Sequence, residues 1–189
     1  MDACRVILIG MMGSGKSTIG RLLSEVTGWP YVDNDELVLR VHGASARQLL
    51  AEQGEAVMRA AESSALALGL DVPEPAIVGL AAGTILDTSN RDLLRGGGIV
   101  VYLRADAETL ASRAMGAEHR PWIDTGGDAW FQDSLQQRDT LYASVADIVV
   151  DTTLDTPPEA AAGILDRLGA FEACKDRLLS PIEPRAPRT

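Results

Sequence analysis

Gly10-Met11-Met12-Gly13-Ser14-Gly15-Lys16-Ser17-Thr18 stands between a short apolar run and a helical pattern, and that placement decides the fold. The segment satisfies GxxxxGK[ST], in which glycines let successive backbone N–H groups turn inward as an anion nest at the positive end of a helix. Lys16 supplies a mobile cation for the β- and γ-phosphates, and Ser17 offers a hydroxyl to Mg²⁺. Upstream, Cys4 to Ile9 is apolar apart from Arg5; downstream, Ile19, Leu22, Leu23 and Val26 recur at helical spacing. A buried strand feeding a helix follows. A chance match in a glycine-rich turn would lack that setting.

Further apolar runs lie at Pro75 to Ala82, Ile99 to Leu103 and Asp147 to Val150, with a shorter one at Pro30 to Val32. Helical patterns separate them, so the strands must be joined by crossovers and pair in parallel. The expectation is an α/β fold of three layers, a five-stranded parallel sheet with helices on both faces. Two helix starts are legible from capping chemistry: Ser45 with Gln48, and Thr156 with Glu159, the latter with Pro157 at the first helical position. A length of 189 residues suits one compact domain. It is placed at residues 1–170, with 171–189 as a C-terminal extension whose end, rich in proline from Ser180 to Thr189, reads as mobile.

A net charge of −10 argues against a broad nucleic-acid footprint, which needs a basic face. No apolar stretch is long enough to span a bilayer, and the first residues lack the layout of a secretory signal. A cytoplasmic monomer is expected. Cys4 and Cys174 form neither a CxxC pair nor a ligand cluster, and both read as free thiols in a reducing compartment.

Phosphate-loop proteins include switches, motors and kinases, so the remaining residues must discriminate. There is no guanine-reading NKxD, and no hydrophobic strand ends in Asp-Glu. Asp151, after Ile148-Val149-Val150, reads as a turn initiator. Asp33 and Asp35, at alternate positions after Tyr31-Val32, can point to one side. One acid could then hold the metal's water shell while the other meets substrate hydroxyls. They also suit an acidic helix start. Arg59 and Glu62, three apart on a helix, are either a surface ion pair or an arginine fork held for a substrate carboxylate. The loop Gly116-Ala117-Glu118-His119-Arg120-Pro121-Trp122, followed by Gly126-Gly127, reads as a lid over about 116–127, with Arg120 as its phosphate-facing cation, or as a surface turn. His119 and His42 are assigned no metal. Arg138 lies on a helix, and spacing leaves open whether its face is solvated or lines a cleft.

Taken in order, these residues resemble the shikimate kinase family over residues 4 to 168. The matching stretches are the phosphate loop, Asp33-Asn34-Asp35, Gly54-Glu55 leading to Arg59 and Glu62, Val100 to Leu103, Arg120-Pro121, and Arg138 to Tyr142 with Ala146-Asp147. The resemblance implies ATP-dependent phosphorylation of a small hydroxylated carboxylic acid, shikimate foremost, on a P-loop kinase fold. Gly13, Ser14, Gly15, Lys16, Ser17 and Thr18 would hold the nucleotide, with Arg113 and Pro157 beside the adenine and Arg120 closing over the phosphates. Asp35 would contact ring hydroxyls, and Arg59, Arg138 and Gly83 would line the acceptor, with the carboxylate on the two arginines. Mg²⁺ would sit at Ser17 and, through water, near Asp33. Lys16, Asp35 and Arg120 would carry the chemistry. Three departures touch the acceptor side: Ala81-Ala82-Gly83 in place of a triple glycine, aliphatic Met58 and Leu50 where the family has aromatics, and Trp122-Ile123 for two leucines. They leave room for another cyclitol or sugar acid as acceptor. Rival readings are a catalytically silent ATP-binding module and a nucleotide kinase.

Overall fold

A computed structural model describes residues 4–115 and 121–179. Five strands, β1 (Arg5–Ile9), β2 (Tyr31–Asp33), β3 (Ala76–Gly79), β4 (Ile99–Arg104) and β5 (Ile148–Asp151), form one sheet in the order β2-β3-β1-β4-β5. Every neighbouring pair is parallel. The strands are short and central β1 is buried on both faces, which is why its sequence reads as one apolar run instead of alternating. The one charged residue in it, Arg5, is also buried. Its guanidinium donates to the carbonyls of Gly97 (2.7 Å) and Val72 (2.8 Å) and pairs with Glu74 at 3.3 Å.

Helices cover both faces. Ile7 and Ile9 of β1 point into one core layer with Leu66, Leu94, Leu110, Phe131 and Tyr142, contributed by α4 (Glu55–Leu70), α5 (Thr88–Gly97), α6 (Ala107–Met115) and α7 (Pro121–Ala143). Val6 and Leu8 point the other way, into a layer with Ile19 and Leu23 of α1 (Lys16–Thr27) and Ile164 and Leu168 of α8 (Pro157–Leu168). A smaller cluster, including Leu37, Leu49 and Met58, joins α2 (Asn34–His42) and α3 (Ala46–Gln53) to α4. No described helix is long and apolar enough to cross a membrane.

Local chemistry sets the helix ends. Ser45 accepts from the Gln48 N–H, and the Gln48 side chain accepts from the Ser45 N–H at 2.8 Å, a closed capping box. Glu159 likewise accepts from the Thr156 N–H at 2.8 Å. Asp151 is the turn initiator expected of it, accepting from the Thr153 N–H at 2.9 Å, a bond that holds its carboxyl below the usual range.

The described part of the stretch read as a lid is helical from Pro121, because proline pre-sets the backbone angle of a first helical turn; Gly126 and Gly127 are absorbed into α7. His119, Arg120 and the tail from Ser180 lie outside the described residues. Cys4 and Cys174, expected as free thiols, are joined in a disulfide with their Cα atoms 5.0 Å apart. The cause is tertiary. Helix α9 (Glu172–Leu179) returns to the start of β1, and its Leu178, with Phe171 just before it, packs against the same layer that holds both cysteines. The inference of a reducing compartment loses its support with the thiols.

Because the bridge spans 170 residues, reduction or Cys174→Ser is expected to lower unfolding stability by about 2–5 kcal/mol. Urea unfolding of the oxidised and reduced protein measures this; coincident curves would contradict the bridge.

Candidate active site

The strand order reverses at β1, with β3 on one side and β4 on the other, so the crevice at its C-terminal end is open to a ligand. The phosphate loop occupies that point. Gly13 and Gly15 adopt positive φ values of 83° and 92°, and a side chain at Gly13 would also run into the Leu110 carbonyl. Gly15 ends the loop as the N-cap of α1 and offers no side chain to cap it, which leaves the first helical N–H groups facing the cleft. Lys16 folds back over the loop, its Nζ donating to the Gly10 and Met11 carbonyls at 2.9 Å each. Ser14 is fully buried, and its hydroxyl has no hydrogen-bond partner among the described residues.

Beside the loop, the Ser17 hydroxyl donates to Asp33 Oδ2 at 3.0 Å, and the Tyr31 hydroxyl donates to the same oxygen at 2.8 Å. Asp33 Oδ1 accepts from the Asp35 N–H at 3.0 Å and thereby caps α2. Asp33 thus caps α2, as an acidic helix start would, and also stands as a carboxylate beside Ser17. Asp35 is exposed in the first turn of α2 and lines the cleft.

Across the cleft stand two arginines in unlike surroundings. Arg59, half-buried on α4, pairs with Glu62 at 2.8 Å and Glu55 at 3.1 Å. Burial works against its charge, but the two carboxylates prevail and raise its pKa. Glu62 is buried, and burial lifts its pKa despite Arg59. Arg138 on α7 is only 8% exposed and has no carboxylate within ion-pair distance among the described residues. Its guanidinium lies 5.7 Å from the Trp130 ring centroid and 3.9 Å from the Met11 sulfur, and its Nε has no partner. The segment after β3 runs between the arginines. A methyl group at Gly83 would overlap the Arg59 guanidinium, which accounts for a glycine at that position. The Ala82 carbonyl accepts from the Tyr142 hydroxyl at 2.6 Å, so this stretch is pinned at its backbone.

Most of these groups line one cleft of about 650 Å³. It brings together Gly13, Ser14, Gly15, Lys16, Ser17, Thr18, Asp33, Asp35, Arg59, Gly83, Arg113, Arg138 and Pro157, every expected site residue that lies in the described parts. Arg113 donates to the Thr152 carbonyl at 2.7 Å and, with Pro157, forms the end of the cleft away from Arg59. Met58 and Leu50 also line the cleft, as do Ala81 and Ala82.

Sequence reasoning passed over Tyr31 and Trp130. Tyr31 precedes Asp33 by two residues on a strand, the same alternation that singled out the Asp33/Asp35 pair. Trp130 precedes Arg138 by eight residues, within one stripe of a helix. Both signals were present in the spacing.

A family model described as shikimate kinase matches residues 12–169. The shikimate kinase of Oleidesulfovibrio alaskensis is 41% identical over 169 residues, covering 87% of this chain and 96% of that protein. That of Streptomyces coelicolor is 35% identical over 173 residues, covering 92% and 100%. Among solved structures, a shikimate kinase from Acinetobacter baumannii in complex with shikimate superposes with a TM-score of 0.83 at 29% identity, covering 89% and 94%. A gluconokinase from Sinorhizobium meliloti, at 21% identity and a TM-score of 0.60, shares the fold. Geometry and likeness agree: the chain belongs to the shikimate kinase family.

Proposed function

We propose that this protein transfers the γ-phosphate of ATP to a hydroxyl of shikimate, giving 3-phosphoshikimate and ADP. The observation that carries this reading is Arg138. A buried guanidinium with no carboxylate within ion-pair distance among the described residues is costly, Glu62 acting on it only at longer range, and a ligand carboxylate arriving opposite it supplies a direct partner. Arg59, already held by Glu62 and Glu55, presents a fixed fork toward the same ligand. The relatives named shikimate kinase and the structure holding shikimate supply the identity of that carboxylate.

The donor half follows from the loop. Lys16 leaves its two loop carbonyls and turns to the β- and γ-phosphates, while the open N-terminus of α1 takes the phosphate oxygens. The Ser17 hydroxyl and the Asp33 carboxylate are hard oxygen donors beside the loop and fit Mg²⁺. Among the described residues no three His, Cys, Asp or Glu side chains cluster as a metal site, so phosphate and water oxygens would complete the coordination. When bound, Mg²⁺ neutralises charge that develops on the phosphates. Asp35 faces the acceptor and orients its hydroxyl for in-line attack. The hydroxyl oxygen then bonds to the γ-phosphorus, the bond to the β-phosphate oxygen breaks, and the hydroxyl proton passes to Asp35 or water. Arg120, with the lid about 116–127, is assigned the closing role over the phosphates. Arg113 and Pro157 flank the adenine.

Arg138→Ala is expected to raise the KM for shikimate by roughly 10- to 150-fold, the loss of a charged hydrogen-bonded contact worth about 1.5–3 kcal/mol, while the KM for ATP stays within threefold. Equal losses toward both substrates would contradict its acceptor role. Lys16→Ala is expected to abolish turnover. ADP release measured with shikimate, quinate, gluconate and nucleoside monophosphates should be stimulated by shikimate; stimulation by nucleotides alone would overturn the reading.

A further inference from the structure

The Tyr31 ring is held in a slot with a floor of glycine on both sides. A methyl group at Gly20 on α1 would overlap its ring edge, and one at Gly79 on β3 would overlap its hydroxyl. Two elements thus give up side-chain volume at the points where this ring passes, and the slot fixes where the hydroxyl points. It points at Asp33 Oδ2, 2.8 Å away, the oxygen that also receives the Ser17 hydroxyl at 3.0 Å. The two hydroxyls thus converge on one carboxylate oxygen beside the phosphate loop. The opposite oxygen of Asp33 is taken by the Asp35 N–H. A carboxylate tied at both oxygens has little freedom to turn.

From this geometry we infer that Tyr31 is a positioning residue for the divalent-cation site. Its hydroxyl holds Asp33 and Ser17 in the arrangement that receives the metal of a metal–nucleotide complex. The inference rests on the placing of Mg²⁺ at Ser17 and Asp33 proposed above. Ser17 spends its proton on Asp33, which leaves its oxygen lone pairs facing outward to accept a cation. The Tyr31 hydroxyl restrains the oxygen that takes that proton. Without it, Asp33 and Ser17 gain rotamers that face away from the phosphates, and the metal must re-order them on binding. The effect falls on the metal's share of nucleotide binding and not on the backbone nest, which Tyr31 does not touch.

Tyr31→Phe is the discriminating variant, since phenylalanine fills the same slot and removes only the hydroxyl. Calorimetric titration of ADP into wild-type and variant protein, in EDTA and at increasing Mg²⁺, reads metal and nucleotide binding without turnover. The expected result is metal-free ADP affinity within twofold of wild type and a Mg²⁺ concentration for half-maximal effect raised three- to tenfold. A thermal melt run alongside shows whether the variant is folded. Gly79→Ala, which drives a methyl group into the hydroxyl's place, should shift the Mg²⁺ requirement in the same direction. An unchanged or lower Mg²⁺ requirement in folded Tyr31→Phe overturns the inference, as does a loss of affinity equal in EDTA and in Mg²⁺. Wild-type binding that ignores Mg²⁺ overturns the placing of the metal, and the inference with it.

Discussion

Strand β1 must pair on both edges and bury both faces, and the rest of the molecule is arranged around that requirement. With β3 on one side and β4 on the other, the chain can leave β1 only over the gap where the strand order reverses. No neighbouring crossover covers that gap, so the loop there is free to curl its N–H groups around an anion. Other groups arrive at the same edge of the sheet from neighbouring strand ends, while Arg59, Arg113 and Arg138 reach the cleft from helices. Asp33 comes from the end of β2, Ala81 to Gly83 from the end of β3, and Thr152 from the end of β5.

The two halves of the cleft use charge differently. At the donor end the positive potential is spread over backbone N–H groups and Lys16, which can be shielded by loop carbonyls until phosphate arrives. At the acceptor end it is concentrated in two guanidiniums. Glu62 and Glu55 neutralise Arg59 and fix its direction, whereas Arg138 rests against a sulfur and an indole ring. A cation–π contact compensates a buried cation only in part. On the function proposed above, the asymmetry gives one arginine the task of orientation and leaves the other to supply the charge that a carboxylate needs.

Much of this was legible in the sequence because the signals were local. Five apolar runs separated by helical patterns imply the parallel sheet, and the glycine loop marks its functional edge. Both capping boxes form as written, and Asp151 makes the turn assigned to it. What escaped notice was tertiary. Nothing in the spacing of Cys4 and Cys174 says that α9 folds back onto β1. Nor does the composition around Gly83 say that an arginine from α4 crosses it, which is why one glycine sits beside two alanines. The helix start at Pro121 was written in the proline itself but was outweighed by the two glycines that follow. Arg138 sits on a helix whose cleft-facing side is defined only once Trp130 and Met11 are in place.

The central claim is that a buried guanidinium at Arg138, with no carboxylate within ion-pair distance among the described residues, selects a carboxylate acceptor. Its most direct test is calorimetric binding of shikimate and of its uncharged methyl ester to wild-type protein and to Arg138→Ala. The account predicts that the ester binds wild type at least tenfold more weakly than shikimate, and that the difference largely disappears in the variant. Equal affinity of wild type for acid and ester would contradict it.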